Sequence, residues 1–277
     1  MSGFYWIASY PKSGNTWLRL ALRALLEPDA VVRRLDATGF APDAAQLIDI
    51  EEVLDLESGD LTAAECRNLR PLASCARAAA AAGPIYRKVH EAWQQTESGP
   101  LFPPDVTLGR FYVVRDPRDV AVSWAHFTGG GLAAAVAMLC DPRAVLQAPA
   151  GRPALTAPQH LPCWSGHVLS WLNAPGPVCV LRYEDLLTDP VGALRQVAAH
   201  AGIGAGDGDI RRAVAATGFK VLQAREGSEG FDGGQVAGAR FFRSGTAGQW
   251  RETLPEGLAL KIRSFHHEVM SRFGYED

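Results

Sequence analysis

The chain has 277 residues, enough for one large domain or two small ones, and no Ser/Gly/Pro-rich linker or charge run divides it, so a single domain over residues 1–277 is expected. Apolar residues make up 47% and charged residues 21%, which excludes wholesale disorder, and a net charge of -3 provides no global basic field for nucleic acid. Five cysteines, an odd number without CxxC spacing, argue against a disulfide framework or zinc knuckle and fit a reducing cytoplasm.

FYWIAS, residues 4–9, is rich in aromatic and β-favouring types and reads as a strand. It breaks at Tyr10-Pro11, and NTWLRLALRALL then carries apolar residues at helical spacing. The apolar start meets Lys12 and Arg19 before signal-peptide or membrane-spanning length is reached, so membrane insertion is not expected. A helix is expected over 62–81, ending in an Ala-rich run stopped by Gly83. IYRKV (85–89), RFYVV (110–114) and PVCVLRY (177–183) read as short strands, with helices over 117–125, 161–173, 190–201, 207–216 and 256–273. Residues 129–162, mixing glycine, proline and small apolar residues, read as an insertion beside a site. The alternation predicts an α/β fold with a mostly parallel central sheet flanked by helices.

The turn between first strand and first helix carries chemistry. A helix amino-terminus presents unpaired N–H groups and the positive end of its dipole, so it can cradle a phosphate. Gly14 permits close backbone approach, Ser13 and Thr16 offer hydroxyls, Asn15 completes the turn, Trp17 adds an aromatic face, and Lys12 supplies a cation. This is not a Walker A loop, whose lysine follows its second glycine; Lys12 precedes Gly14. A lone K-S-G is equally a solvated lysine beside a helix cap, so other segments must decide.

They decide by resemblance. SYPKSGNTW (9–17) resembles the 5′-phosphosulfate loop of sulfotransferases that use 3′-phosphoadenosine 5′-phosphosulfate (PAPS). VVRDPRDVAVSWAHF (113–127) resembles the same family's 3′-phosphate segment, with Arg115 and Ser123 at the contact positions. FFRSGTAGQWRETL (241–254) resembles its carboxy-terminal RKGxxGxW loop, placing Arg243, Ser244 and Gly245 on the cofactor; Ser244 stands where lysine is common, so one positive charge is missing. LRYEDLLTDP and ATGFKVL resemble the segments that reach the base, implying that Tyr183 and Phe219, with Trp17, form an aromatic cage. IYRKVHEAW resembles the catalytic K-x-H strand, implying His90 as general base and Lys88 as a cation for the migrating sulfuryl group. Lys12 would stabilise the leaving phosphate, with Ser123 restraining it until acceptor arrives. CWSGHVLSWLN (163–173) also resembles a family segment and is assigned packing, with His167 at most a supporting group.

The resemblance spans about residues 5–254 and implies a P-loop-nucleotide-hydrolase-like sulfotransferase fold. It also implies in-line, metal-free transfer from PAPS to a hydroxyl of a small-molecule acceptor (phenol, alcohol or natural product), releasing 3′-phosphoadenosine 5′-phosphate (PAP). Histidine suits the base role because its ordinary pKa of about 6.5 leaves much of it neutral near pH 7. The alternatives are a nucleotide-dependent kinase or phosphotransferase, which shares the fold logic, and a non-catalytic nucleotide-binding protein. Arg118 and Asp119 read as a surface ion-pair cluster and His266-His267 as an exposed helix face. Residues 36–60, 91–106 and 126–162 are the expected acceptor loops, and Trp93, Phe102, Trp124 and Phe127 are the apolar residues expected to meet an acceptor. No dimer motif is recognisable, so oligomeric state is open.

Overall fold

The computed structural model describes residues 2–29, 35, 39–147, 155–231 and 240–276. The first strand, β1 (Gly3–Ser9), is buried along its whole length. Its alternating side chains serve two cores: Phe4, Trp6 and Ala8 join one, and Tyr5 and Ile7 the other. A strand covered on both faces must be apolar at every position, which explains its unbroken aromatic and aliphatic run.

In chain order the remaining main elements are α1 (Asn15–Leu26), α2 (Ile48–Leu54), α3 (Ala63–Ala80), β2 (Pro84–Val89), β3 (Thr107–Val114), α4 (Pro117–Thr128), α5 (Leu132–Leu139) and α6 (Trp164–Leu172). They continue with β4 (Val178–Arg182), α7 (Tyr183–Thr188), α8 (Pro190–His200), α9 (Asp207–Ala216), α10 (Phe219–Glu229), α11 (Trp250–Thr253) and α12 (Glu256–Arg272). The strands form one parallel sheet in the order β2-β1-β3-β4. The expected α/β architecture is present, and the expected strands and helices fall on observed elements.

Register decides where the site lies. Ala8 pairs with Val89, Ser9 with Val113, and Val114 with Arg182, so the carboxyl ends of all four strands share one rim. Residues leaving that rim are Tyr10, His90, Arg115 and Tyr183. The chain winds from β1 to β2 on one side and returns to β3 on the other, so the crevice beyond β1 and β3 is the topological switch point where open α/β sheets bind ligands.

Two of the intervening segments carry more structure than their sequences show. Within the 129–162 stretch α5 forms and packs with Val136 and Leu139 fully buried. Its helix is apolar nearly all round, so its sequence shows no polar face to reveal the period. Residues 148–154 of that stretch lie outside the described residues. Within 36–60, α2 forms, and just before it a single bridge between Asp43 and Lys88 lays the chain along the outer edge of β2. The Lys88 amide donates to Pro42 O at 3.0 Å and the Ala44 amide donates to Lys88 O at 2.9 Å, which pairs an otherwise open sheet edge.

Candidate active site

The first loop is built under strain. Lys12 has φ +68°, a left-handed conformation that costs a non-glycine residue roughly 1 kcal/mol, and Gly14 has φ +106°. A side chain at Gly14 would be doubly unfavourable, because its Cβ would lie 2.8 Å from Cδ2 of Tyr183. Helix α1 has no side-chain cap and no acid in its first turn, so its amino-terminal N–H groups remain available to an anion. Asn15 donates from Nδ2 to Ile7 O at 2.8 Å, which fastens the helix start to β1. Ser13 is buried with no hydrogen-bond partner for its hydroxyl, and it does not line the cavity described below.

Arg115 ties two loops together. It donates from Nη1 to Lys12 O at 3.0 Å and from Nη2 to Thr246 O at 3.1 Å, and its guanidinium lies 4.1 Å from the ring centre of Tyr183. Asp119 fixes the same carboxy-terminal loop, accepting the Gly248 amide at 2.6 Å and the Trp250 amide at 3.0 Å. Arg118 chelates Asp116, donates to Tyr275 O at 2.9 Å and stacks on Trp250 at 3.7 Å. The expectation that Arg118 and Asp119 form a surface cluster is therefore wrong: they are 3% and 1% exposed, each charge satisfied within the fold. Asp119→Ala would leave two amides without acceptors and is expected to cost about 2 kcal/mol. Calorimetry should show the midpoint of thermal unfolding lower by about 5 °C, and an unchanged midpoint would refute this role.

At the end of β2, His90 sets its Nδ1 2.9 Å from Ser9 O. A carbonyl only accepts, so in the neutral imidazole Nδ1 carries the proton and Nε2 carries the lone pair. The strand end is held from behind by His167, whose Nε2–H donates to His90 O at 3.1 Å and whose Nδ1 accepts the Tyr112 hydroxyl at 2.8 Å. Burial pushes the pKa of His167 down to about 3, so this prop stays neutral. Burial, aided by the Lys88 charge, also holds His90 well below its ordinary value. Lys88 itself donates to Asp43 Oδ2 at 2.9 Å.

These groups converge on one cavity of about 810 Å³. Of the residues the sequence nominated, Lys12, Gly14, Asn15, Thr16, Trp17, Lys88, His90, Arg115, Ser123, Tyr183, Phe219, Arg243, Ser244 and Gly245 all line it. Among the described residues of the lining, the cations are Lys12, Arg19, Lys88, Arg115 and Arg243, and there is no aspartate or glutamate. Nor is any group of three or more His, Cys, Asp or Glu placed to hold a metal ion among the described residues. The lining also carries Trp124, Phe127, Phe231, Phe241 and Phe242, and the last three pack in one cluster with Trp17 and Phe219. The Lys12 ammonium sits between Phe127 and Phe241, 4.1 and 4.2 Å from their ring centres, rather than on Ser123. Burial, with Arg115 and Arg243 nearby, pulls the Lys12 pKa down to about 8.

Several site features were not read from the sequence. Arg19 was hidden inside an amphipathic helix pattern, and Phe231, Phe241 and Phe242 reach the cavity from the far end of the chain. Of the apolar residues expected to meet an acceptor, Trp124 and Phe127 do line the cavity. Phe102 is instead a core residue packed on Trp6 and Trp171, and Trp93 lies outside the lining. His266 is also buried, with Nδ1 2.8 Å from Ser165 Oγ, contrary to the exposed face expected for it; only His267 faces solvent.

A family model described as the sulfotransferase domain matches residues 4–274. The chain belongs to the sulfotransferase family. Solved structures share its fold. One is retinol dehydratase in complex with androsterone and inactive cofactor PAP, 22% identical over 96% of this chain and 80% of that one, with a TM-score of 0.63. A second retinol dehydratase structure, holding retinol and PAP, is 22% identical over 96% and 81%, with a TM-score of 0.61. A mouse sulfotransferase complexed with PAP is 19% identical over 97% and 84%, with a TM-score of 0.59. No curated protein sequence matches the chain. No helix among the described residues of this sulfotransferase is long and apolar enough to cross a membrane.

Proposed function

We propose that this sulfotransferase moves the sulfuryl group of PAPS to a hydroxyl of an apolar small molecule, with His90 as general base. The observation that carries the reading is the pairing of a cavity lined by five cations and no described carboxylate with a neutral histidine whose unprotonated Nε2 is free for an acceptor hydroxyl. The cations suit a ligand with several negative charges, and the Trp124–Phe127 pair in the lining offers an apolar contact for the acceptor. Neighbours of this fold that hold PAP support the choice of donor. The five cysteines are free thiols, in keeping with a cytoplasmic setting.

In this reading the open amides of α1, with Thr16, hold the 5′-phosphosulfate. Arg115, Ser123, Arg243 and Ser244 hold the 3′-phosphate, and Trp17, Tyr183 and Phe219 enclose the adenine. Nε2 of His90 takes the acceptor proton as the acceptor oxygen attacks sulfur. The sulfur–oxygen bond to the 5′-phosphate breaks, and that phosphate keeps the electron pair. Lys12 and Lys88 offset charge on the leaving phosphate and the sulfuryl oxygens. A magnesium-nucleotide kinase reaction is the less favoured reading, because the described lining offers no carboxylate to share its metal.

Calorimetric titration tests the donor. PAP is expected to bind at least about a hundredfold more tightly than ATP with magnesium, since it presents a second anion to the cations that bracket Arg115. A preference for ATP would overturn the reading. An acceptor screen with PAPS, following PAP and sulfated product together, then identifies the hydroxyl.

A further inference from the structure

Asp43 belongs to none of the motifs that mark the cofactor site, yet both its backbone and its side chain meet Lys88 of β2. Its carboxylate accepts Lys88 Nζ at 2.9 Å and the Ala45 amide at 3.0 Å. The backbone around it pairs with Lys88 on both sides, through Pro42 O and the Ala44 amide. The contact is therefore built into the sheet edge and does not depend on a chance rotamer. Neither side chain is freely solvated: that of Asp43 is 15% exposed and that of Lys88 is 24% exposed.

Lys88 and His90 leave β2 on the same face, two residues apart, so whatever holds the ammonium also sets the electrostatic surroundings of the imidazole. Lys88 approaches His90 along β2, and Ser9 O lies at the end of β1. His167 comes from α6, backed by Tyr112 of β3, and is neutral. Glu91, the next residue, is neutralised by Arg70 at 2.6 Å. Asp43 is thus the negative charge that answers Lys88. Burial disfavours its charged form, but the Lys88 charge and the Ala45 amide outweigh that and bring its pKa down to about 2, so it is ionised at any working pH.

We infer that Asp43 is a positioning residue for transfer: it holds the Lys88 ammonium against the edge of β2 and offsets that charge where it bears on His90. This rests on the reading of His90 as base. Without Asp43, Lys88 would be unanchored and its charge would press fully on the imidazole, so His90 would become a weaker base and Lys88 a misplaced cation. Both effects lower turnover, and neither touches the loops that bracket Arg115.

The test uses Asp43→Asn, Asp43→Glu, Lys88→Met and the double variant Asp43→Asn/Lys88→Met, with His90→Ala as control. Asp43→Asn is expected to lower kcat about tenfold with PAP affinity unchanged, and to move the acidic limb of the kcat/KM profile to lower pH. Asp43→Glu should recover part of the loss. In the double variant the two losses should fail to multiply, because Asp43 acts through Lys88. Wild-type kcat and pH profile in Asp43→Asn would overturn the inference. So would loss of PAP affinity in step with kcat, or independent effects in the double variant, since either points to a merely structural role. If His90→Ala turns over normally, the base reading itself fails; if His90→Ala is inactive while Asp43→Asn behaves as wild type, only the inference about Asp43 fails.

Discussion

His90→Ala should lose turnover by at least about a hundredfold while binding PAP as the unaltered protein does. The separation follows from where the side chain sits. Its ring is fastened to Ser9 O through Nδ1, whereas Arg115 and Arg243, proposed to hold the cofactor, hydrogen-bond to Lys12 O, Thr246 O and Gln249. Removing it leaves the carboxyl rim of the sheet intact, since His167 donates to the backbone carbonyl of residue 90, not to its side chain. Stopped or steady-state assays of sulfated product, with PAP calorimetry alongside, read the two quantities independently. Turnover close to that of the wild type would remove His90 from the mechanism.

The same assignment carries a pH signature with a definite sign. Burial holds His90 well below its ordinary pKa, so it is already an unprotonated base at pH 7 and loses that form only well into the acid range. Lys12 behaves in the opposite sense: its pKa is lowered to about 8, so its ammonium is present below that pH and is lost as pH rises through it. The kcat/KM profile should therefore stay flat through neutrality, fall on the alkaline side near pH 8, and lose its acidic limb in His90→Ala. An anion bound beside Lys12 favours the ammonium, so the alkaline limb of kcat should lie above that of kcat/KM.

What could be read from the sequence and what could not divide along the range of the interactions. The turn from β1 into α1, the K-x-H strand end and the Arg115 segment are each written in consecutive residues, so their strand-turn-helix grammar was legible, and Lys12, Lys88, His90 and Arg115 do line one cavity. The sheet register that sets them side by side was not written locally, although four short apolar strands made a parallel sheet the simplest arrangement. Asp43 stayed invisible because a one-bridge contact forty-five residues from its partner carries no periodicity. Arg118 and Asp119 were misread for a physical reason. Adjacent opposite charges are usually solvated, and these are buried only because the Gly248 and Trp250 amides and the Tyr275 carbonyl, all from the chain's far end, satisfy them. Side-chain direction was equally beyond reach: Asn15 and Ser13 sit in the phosphate-type turn as expected, but one turns to Ile7 O and the other into the fold.

Arg115→Ala should produce the largest loss of cofactor affinity of any single change at this site, about a hundredfold or more in PAP Kd, equivalent to about 3 kcal/mol. The guanidinium touches the first loop, the carboxy-terminal loop and Tyr183 together. Its loss removes an anion contact and frees Lys12 O and Thr246 O from each other, so the cavity loses a charge and its shape together. Arg115→Lys separates the two contributions. An ammonium keeps the positive charge but cannot span two carbonyls and stack on a ring as a planar fork does, so it should recover only the electrostatic part of the affinity. Calorimetry with PAP and with adenosine 5′-phosphate, which lacks the second phosphate, measures the distribution. The unaltered protein should favour PAP strongly, Arg115→Lys less so, and Arg115→Ala scarcely at all. If all three favoured PAP equally, the 3′-phosphate would not be held from the end of β3, and Arg115 would be a strut between loops and nothing more.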